Sequence, residues 1–395
     1  MIERALLTPA LDQIRLKQAQ PRVSSYKEAE LLDHNSPAPL VIVALVILTL
    51  ILVGCTSSVP RAEAPTSSER PVALASSSAS TAPTSEAATQ SAVNDTAAPI
   101  IVTPTPDNWN YEEMLRLFDY DQQAPLDLQE KSSKESAGVM VHDISYASPK
   151  GGRVTGYLLV PPGSGPFAGV IMQHGLPGSR DSMRSYAEEI AKSGAVALLI
   201  DAPFARRQNG QPARGFITFT EQDRDEQIQY MIDLRRGVDV LSSRDDVDPN
   251  RIGYIGYSYG AAMGGLLAGI EKRIKAYVLM AGDGGLVEHY EIPTAGNDIS
   301  GEVSEAKFER WKTAMRPIEP IRFVAHAAPS ALLYQNARSD GMVSQEAARR
   351  YHEAGSEPKE IKWYNTGHGL NSQAFRDQVE FLHTYIGIDP QKFKW

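Results

Sequence analysis

The chain has 395 residues, a formal net charge of −9 and a single cysteine. The acidic balance and the lack of a Lys/Arg-rich tract exclude the electrostatic footprint of a nucleic-acid-binding protein, so we expect no nucleic-acid partner. One cysteine allows neither an intramolecular disulfide nor a multi-cysteine zinc site.

Three N-terminal segments differ in composition from the rest of the chain. They are a tail at 1–39, an apolar segment at 40–55 and a linker at 56–106 that is rich in Ser, Thr, Ala and Pro. The linker cannot bury enough apolar surface to offset the entropy of ordering it, so we expect a flexible tether. The remaining residues, 107–395, suffice for one large domain.

The apolar segment ends in the motif Leu52-Val53-Gly54-Cys55. Its apolar run is short for a membrane span and has the length of the hydrophobic region of a signal peptide. The motif resembles the bacterial lipobox, which implies that Cys55 carries the lipid after cleavage. Because the residues just before the run are acidic rather than basic, an uncleaved single-pass anchor remains the alternative. Both interpretations place the folded domain outside the cytoplasm, tethered to a membrane.

Strand and helix signals alternate through the rest of the chain. This alternation predicts an α/β fold with a mostly parallel eight-stranded sheet and helices on both faces. The predicted strands are 139–146, 154–160, 169–173, 196–201, 252–257, 276–280, 331–335 and 361–364. We expect the first two to form an antiparallel hairpin at the edge of the sheet. The predicted helices are 182–193, 221–242, 259–269, 344–354 and 372–386.

Two stretches, 202–220 and 283–326, interrupt the alternation. Such insertions lie beyond the carboxyl ends of the strands, where α/β proteins bind ligands, so we expect them to form the wall of a substrate site. The aromatic residues that could make this wall apolar are Phe204, Phe216, Phe219, Tyr290 and Trp311. The carboxylates of Asp223 and Asp225 are expected at a solvated helix start.

The sequence Gly256-Tyr257-Ser258-Tyr259-Gly260 directly follows a predicted strand and directly precedes a predicted helix. A nucleophilic serine at such a sharp turn needs glycine on both sides, because strand and helix approach each other without room for a Cβ atom. The alternative is an ordinary glycine-rich turn. The strand and helix on its two sides favour Ser258 as a catalytic nucleophile.

Three further motifs follow other predicted strands: Gln173-His174-Gly175, Asp340 with Val343, and Gly367-His368-Gly369. Together with the serine motif, they resemble the α/β-hydrolase superfamily, and within it the dienelactone-hydrolase and prolyl-oligopeptidase-like branch. The resemblance covers residues from about 139 to the C-terminus. It implies the α/β-hydrolase fold and a catalytic triad in the chain order Ser, Asp, His.

A serine hydroxyl needs a base within hydrogen-bond reach and a carboxylate that orients this base. Of the eight histidines, His368 is favoured because it lies between two glycines on a loop after a strand. Asp340 is favoured as the acid, since it matches the family pattern. Asp283, which follows the preceding strand, remains the rival.

The oxyanion of an acyl-transfer intermediate needs preorganised N–H donors. We expect one from the backbone of Tyr259, at the helix N-terminus, and by resemblance the second from Leu176. His174 is expected to be structural. The sequence contains no metal-binding pattern, P-loop or dinucleotide fingerprint, so we expect neither metal nor cofactor.

These residues predict a serine hydrolase that cleaves a small-molecule carboxylic ester through an acyl-enzyme. The alternatives are a serine peptidase of the same branch and a non-catalytic binding lipoprotein on the same fold.

Overall fold

The computed structural model describes residues 108–208, 211–212 and 216–394. The predicted tail, apolar segment and linker therefore lie outside the described residues, and so does Cys55. Within the described part, no helix is both long enough and apolar enough to cross a membrane.

Nine strands form the main sheet in the spatial order β1-β2-β3-β5-β4-β6-β7-β8-β9. The six strands from β5 to β9 in this order are parallel neighbours, whereas β1, β2 and β3 pair antiparallel at one side. In chain order the strands are β1 Gln129–Ser136, β2 Val139–Ala147, β3 Arg153–Val160, β4 Phe167–Gln173, β5 Ala195–Ile200, β6 Val247–Tyr257, β7 Ile274–Met280, β8 Ala331–Ala337 and β9 Lys359–Tyr364.

The expectation of eight strands is wrong by one, because β1 adds an outer strand. Its sequence, QEKSSKES, has no apolar alternation, and nearly all of its residues are exposed. It pairs antiparallel with β2 by backbone hydrogen bonds and needs no buried face to do so. The predicted hairpin of β2 and β3 is confirmed as antiparallel, but it lies one strand in from the edge.

The five predicted helices are confirmed with small shifts at their ends, and they correspond to α2, α3, α4, α8 and α9. In chain order the described helices are α1 Tyr111–Leu115, α2 Arg184–Lys192, α3 Gln222–Ser242, α4 Tyr259–Ile270, α5 Leu286–Glu291, α6 Glu305–Met315, α7 Pro320–Phe323, α8 Gln345–Ala354 and α9 Ser372–Ile386. The second insertion is therefore largely helical, since it contains α5, α6 and α7.

Apolar layers cover both faces of the sheet. Successive residues of one strand point to opposite faces, so Tyr254 packs in one layer and Ile255 in the other. Every residue of β5 is buried, as expected for a parallel strand with helices on both sides. The continuous apolar strands hold the carboxyl-end loops of the sheet on a rigid base.

Helix α4 packs closely between the sheet and α8, and its small residues make this possible. A Cβ atom added at Gly264 would lie 2.6 Å from Leu279 Cδ2 and 2.7 Å from Tyr254 Cε1. A Cβ atom added at Gly265 would overlap the ring and hydroxyl of Tyr351 on α8. The tyrosine hydroxyl donates to the carbonyl of Ala261 at 3.1 Å, so it fixes the distance between the two helices.

We expect Gly265→Ala to lower the free energy of unfolding by about 1–3 kcal/mol, the usual cost of overpacking a filled core. Urea denaturation measures this loss. Tyr351→Phe removes the overlapping hydroxyl, so the double variant should lose less than the sum of the two single variants. Gly369→Ala is the control, since nothing lies within 4 Å of a Cβ atom there. Additive losses in the double variant would contradict the proposed contact.

Candidate active site

Ser258 occupies a strained turn between β6 and α4. Its backbone has φ 55° and ψ −114°, a left-handed conformation that non-glycine residues rarely adopt. A Cβ atom at Gly256 would overlap the backbone of Gly260, and one at Gly260 would overlap the backbone of Gln173. Only glycine fits at these two positions, as the sequence pattern predicted.

The hydroxyl of Ser258 lies within hydrogen-bond reach of the imidazole of His368. The distance from Ser258 Oγ to His368 Nε2 is 2.9 Å, and His368 Nδ1 lies 2.8 Å from Asp340 Oδ2. Because Nδ1 donates to the carboxylate, Nε2 carries a lone pair toward the serine. The structure thus brings together three residues that are 28 to 110 positions apart in the chain.

Asp340 is held by its own loop as well as by the histidine. Its side chain is 1% exposed, and Oδ1 accepts from the backbone N–H groups of Met342 at 2.8 Å and Val343 at 3.0 Å. Burial alone would raise the pKa of Asp340, but the hydrogen bond and charge of His368 and the two N–H donors hold it below its usual value. Asp340 is therefore ionised at neutral pH.

Asp283 follows β7, as expected, but it does not contact His368. Its Oδ2 atom lies 2.6 Å from Nδ1 of His289, which lies in helix α5. The side chain of Asp283 is 5% exposed and that of His289 is 20% exposed. The structure therefore contains two separate aspartate–histidine pairs, and the one that contacts Ser258 contains Asp340.

The loop after β4 faces the serine turn. A Cβ atom added at Gly175 would lie 3.0 Å from the Cβ atom of Ser258, so the two loops are in close contact. His174 is buried within this loop, where its Nδ1 atom donates to the carbonyl of Gly175 at 2.8 Å. Burial lowers the pKa of His174. Its expected structural role fits these contacts, because a neutral ring with both nitrogens facing protein groups braces the turn.

Arg180 ties the same loop to the neighbouring strands. Its guanidinium donates to Asp143 on β2 at 2.8 Å and lies over the ring of Tyr157 on β3. Its backbone N–H donates to the carboxylate of Asp201 at 2.8 Å. These contacts fix the loop that contains Leu176 relative to the sheet.

A cavity of about 290 Å³ opens beside Ser258. Leu176 and Tyr259, the two predicted oxyanion residues, both line it. The second insertion forms much of the remaining wall, and Phe216 of the first insertion also lines it. The predicted location of the substrate wall is therefore consistent with the structure.

Only two of the five aromatic residues proposed for the wall line this cavity, Phe216 and Tyr290. Phe219 and Trp311 pack behind Tyr290, with ring centroids 5.3 and 5.8 Å from its own. Phe204 is buried against the rings of His174 and Tyr259. These three residues support the wall and do not form its surface.

The expectation of a solvated carboxylate at the start of α3 is wrong for Asp223. Its side chain is buried and accepts from Nε1 of Trp311 at 2.9 Å and from Oγ1 of Thr218 at 2.7 Å. Asp223 thus joins the two insertions. Asp225, two positions on, is 66% exposed, as expected.

Two buried carboxylates lie close to the Asp283–His289 pair. Burial raises the pKa of Glu288 to about 7, and burial raises the pKa of Glu319 well above its usual value. Glu319 accepts from the backbone N–H of Val287 at 2.8 Å. Near neutral pH, Glu288 and Glu319 therefore carry less negative charge than two exposed glutamates would.

His289 and Asn297, which line the cavity from the second insertion, carry little signal in the sequence. His289 lies in an irregular stretch without a strand or a glycine pair beside it. The one feature of the sequence that could have indicated a role for His289 is Asp283, six residues earlier. Among the described residues, no group of three or more His, Cys, Asp or Glu side chains is arranged to bind a metal ion.

The sheet order, the strained serine turn and the loops at the carboxyl ends of the strands define an α/β-hydrolase. Residues 154–379, more than half of the chain, match the family model of the dienelactone hydrolase family, and the chain belongs to this family.

Two relatives with described activities are similar to this chain. It is 30% identical over 138 residues to esterase FrsA from Enterobacter sp. (strain 638), which covers 34% of this chain and 30% of that protein. It is 23% identical over 310 residues to acyl-coenzyme A thioesterase 3 from Mus musculus, which covers 69% of this chain and 67% of that protein. The chain thus spans less than a third of the length of esterase FrsA.

Solved structures share the fold. The acetyl xylan esterase from Paenibacillus sp. R4 superposes with a TM-score of 0.57 at 20% identity, covering 70% of this chain and 93% of that one. Acetyl xylan esterase 1 from Thermoanaerobacterium sp. JW/SL YS485 gives a TM-score of 0.57 at 16% identity, covering 74% and 96%. At these identities the likeness concerns the fold alone.

Proposed function

We propose that this protein is a serine esterase that cleaves a carboxylic ester through an acyl-enzyme. The observation that carries the proposal is the chain of hydrogen bonds from Ser258 through His368 to Asp340, beside a cavity large enough for a small acyl group. Membership of a hydrolase family and similarity to an esterase and a thioesterase support the same reaction class.

In the proposed mechanism, Ser258 Oγ attacks the ester carbonyl while Nε2 of His368 takes its proton. Asp340 holds the imidazole in the tautomer with Nδ1–H and stabilises the imidazolium that forms. The imidazolium then gives its proton to the leaving alcohol, and the acyl-enzyme remains. Water, deprotonated by His368, attacks the acyl-enzyme and releases the acid.

The backbone N–H groups of Tyr259 and Leu176 are the proposed oxyanion donors. The N–H of Tyr259 begins α4, where the helix dipole favours a negative charge. Leu176 lies on the opposing loop, which Gly175 brings against the serine. Among the described residues, neither N–H donates a hydrogen bond to another backbone carbonyl, so both are free to bind an oxyanion.

A peptidase uses the same triad, so the leaving group has to be tested. The relatives named above act on oxygen or sulfur esters according to their names, and this favours an ester over a peptide. A non-catalytic binding protein is the remaining alternative.

We also propose that the enzyme is tethered to the outside of a bacterial membrane through a lipid on Cys55. The proposal is based on the Leu52-Val53-Gly54-Cys55 motif, the apolar run before it and the low-complexity linker after it. The linker would hold the catalytic domain away from the membrane surface.

A fluorophosphonate probe should label Ser258 and no other serine, because only a serine with a base and an oxyanion site reacts quickly. Ser258→Ala should abolish labelling and hydrolysis of 4-nitrophenyl esters and leave the melting temperature nearly unchanged. Ser132→Ala, on the exposed strand β1, is the matched control and should behave as the wild type.

A folded wild-type protein with neither labelling nor ester hydrolysis would falsify the esterase proposal and favour the binding protein. Faster cleavage of peptide anilides than of esters would favour the peptidase.

Asp340→Asn should lower kcat on the order of 10⁴-fold, because an amide cannot hold His368 in the required tautomer. Asp283→Asn should cost far less, since its partner is His289. Steady-state kinetics of both variants on one ester, with circular dichroism to confirm folding, make the comparison. If Asp283→Asn proved the more damaging, the acid would have to be reassigned.

Cys55→Ala should leave an unprocessed, larger precursor and abolish incorporation of labelled fatty acid when the full chain is expressed in a bacterium. Gel mobility and metabolic labelling measure the two effects. Cys55 is the chain's single cysteine, so the label can have no other thiol acceptor. Identical size and labelling of wild type and variant would support the uncleaved transmembrane anchor.

A further inference from the structure

A second aspartate–histidine pair lies in the wall of the same cavity as Ser258. Both Asp283 and His289 line this cavity, and Nδ1 of the histidine donates to Asp283 Oδ2 at 2.6 Å. The Nε2 atom of His289 has no hydrogen-bond partner among the described residues. The proposed mechanism does not use this pair, so Nε2 of His289 is available to a ligand.

His289 carries a positive charge more readily than an isolated histidine does. Burial lowers its pKa, but the charge and hydrogen bond of Asp283, with the charge of Asp340, raise it above the usual value overall. An imidazolium with Nδ1 bonded to Asp283 can only donate from Nε2. The three carboxylates that line the cavity, Asp283, Asp298 and Glu302, favour this charged form, and in that form His289 binds a hydrogen-bond acceptor.

The charges around the cavity indicate that this acceptor is uncharged. Besides His289, the charged side chains among its described lining residues are all carboxylates: Asp283, Asp298 and Glu302. Lysine and arginine are absent from that lining. Three carboxylates line the cavity beside one histidine, so an anionic acyl group would be repelled.

The acyl part of the ester is the part that meets His289. In the proposed mechanism the leaving group must approach Nε2 of His368, which protonates it. Among the described residues that line the cavity, Ser258, Leu176 and Tyr259 are present and His368 is not. The cavity therefore extends from the serine on the acyl side.

The position of His289 is fixed relative to the triad. Asn297 Nδ2 donates to the carbonyl of His289 at 2.6 Å. Nearby, Thr294 Oγ1 donates to the carbonyl of Gly341 at 2.7 Å, next to Asp340. A donor held by these contacts needs little ordering when substrate binds, and such preorganisation gives a hydrogen bond selectivity.

We propose that His289, oriented by Asp283, determines specificity by donating a hydrogen bond to an uncharged oxygen on the acyl group of the substrate. The preferred esters carry an ether, hydroxyl or carbonyl oxygen a few atoms from the scissile carbonyl. The inference rests on the proposed esterase function.

The test compares 4-nitrophenyl esters of similar acyl size: butyrate, methoxyacetate, 3-hydroxybutyrate and hemisuccinate. His289→Phe should lower kcat/KM for methoxyacetate or 3-hydroxybutyrate about tenfold to a hundredfold more than for butyrate, the range expected for one hydrogen bond from a charged donor. For each ester, kcat/KM of the variant is divided by kcat/KM of the wild type, which cancels the different intrinsic reactivities of the esters. His289→Gln, which keeps an N–H donor, should recover part of the difference.

His142→Phe is the matched control, because it removes another histidine–carboxylate pair, His142 with Glu130 at 3.0 Å, on the outer strands. For all four esters, kcat/KM of His142→Phe should equal that of the wild type. Equal losses on butyrate and the oxygenated esters in His289→Phe would overturn the inference while the esterase function stood. A wild-type preference for hemisuccinate would also overturn it. If the folded wild type hydrolysed none of the esters and took up no fluorophosphonate, the proposed function would fail and the inference with it.

Discussion

The left-handed backbone of Ser258 is the constraint on which the rest of the site depends. A non-glycine residue in this conformation is strained by about 1–3 kcal/mol, and the strain persists only where the surrounding contacts hold it. Ser258 N donates to the carbonyl of Met280 at 2.7 Å, and its own carbonyl accepts from Ala261 at 2.8 Å. The neighbouring glycines let strand and helix close on either side, so the hydroxyl is directed away from the core.

The sheet places the other groups around this turn. Four loops follow parallel strands and lie at the carboxyl ends of these strands. They contain Leu176, Asp283, Asp340 and His368. The loops after the neighbouring strands β7 and β8 each carry an aspartate, and each aspartate contacts a different histidine. One pair contacts the serine hydroxyl and the other lines the cavity. In the proposed function, the same arrangement of aspartate and histidine thus acts as a base in one place and as a hydrogen-bond donor in the other.

Sequence patterns predicted the parts of the fold in which apolar residues repeat. The buried strands and the five predicted helices carry such patterns, and the serine turn carries its two glycines. Strand β1 could not be found this way, since backbone pairing holds a strand whose side chains face solvent. The choice between Asp283 and Asp340 was also open, because both follow strands that end at the same edge. Asp283 contacts a histidine of the second insertion, so its partner depends on how that insertion folds, and the insertion shows no regular apolar period in the sequence.

The two outermost strands of the sheet have a consequence for association between molecules. Strand β1 carries lysines and glutamates along its free edge, and β9 has the sequence KEIKWY at the opposite edge. Two copies that joined their sheets edge to edge would have to bring these charges together and strip them of water. The charged outer strands therefore oppose extension of the sheet from one molecule to the next.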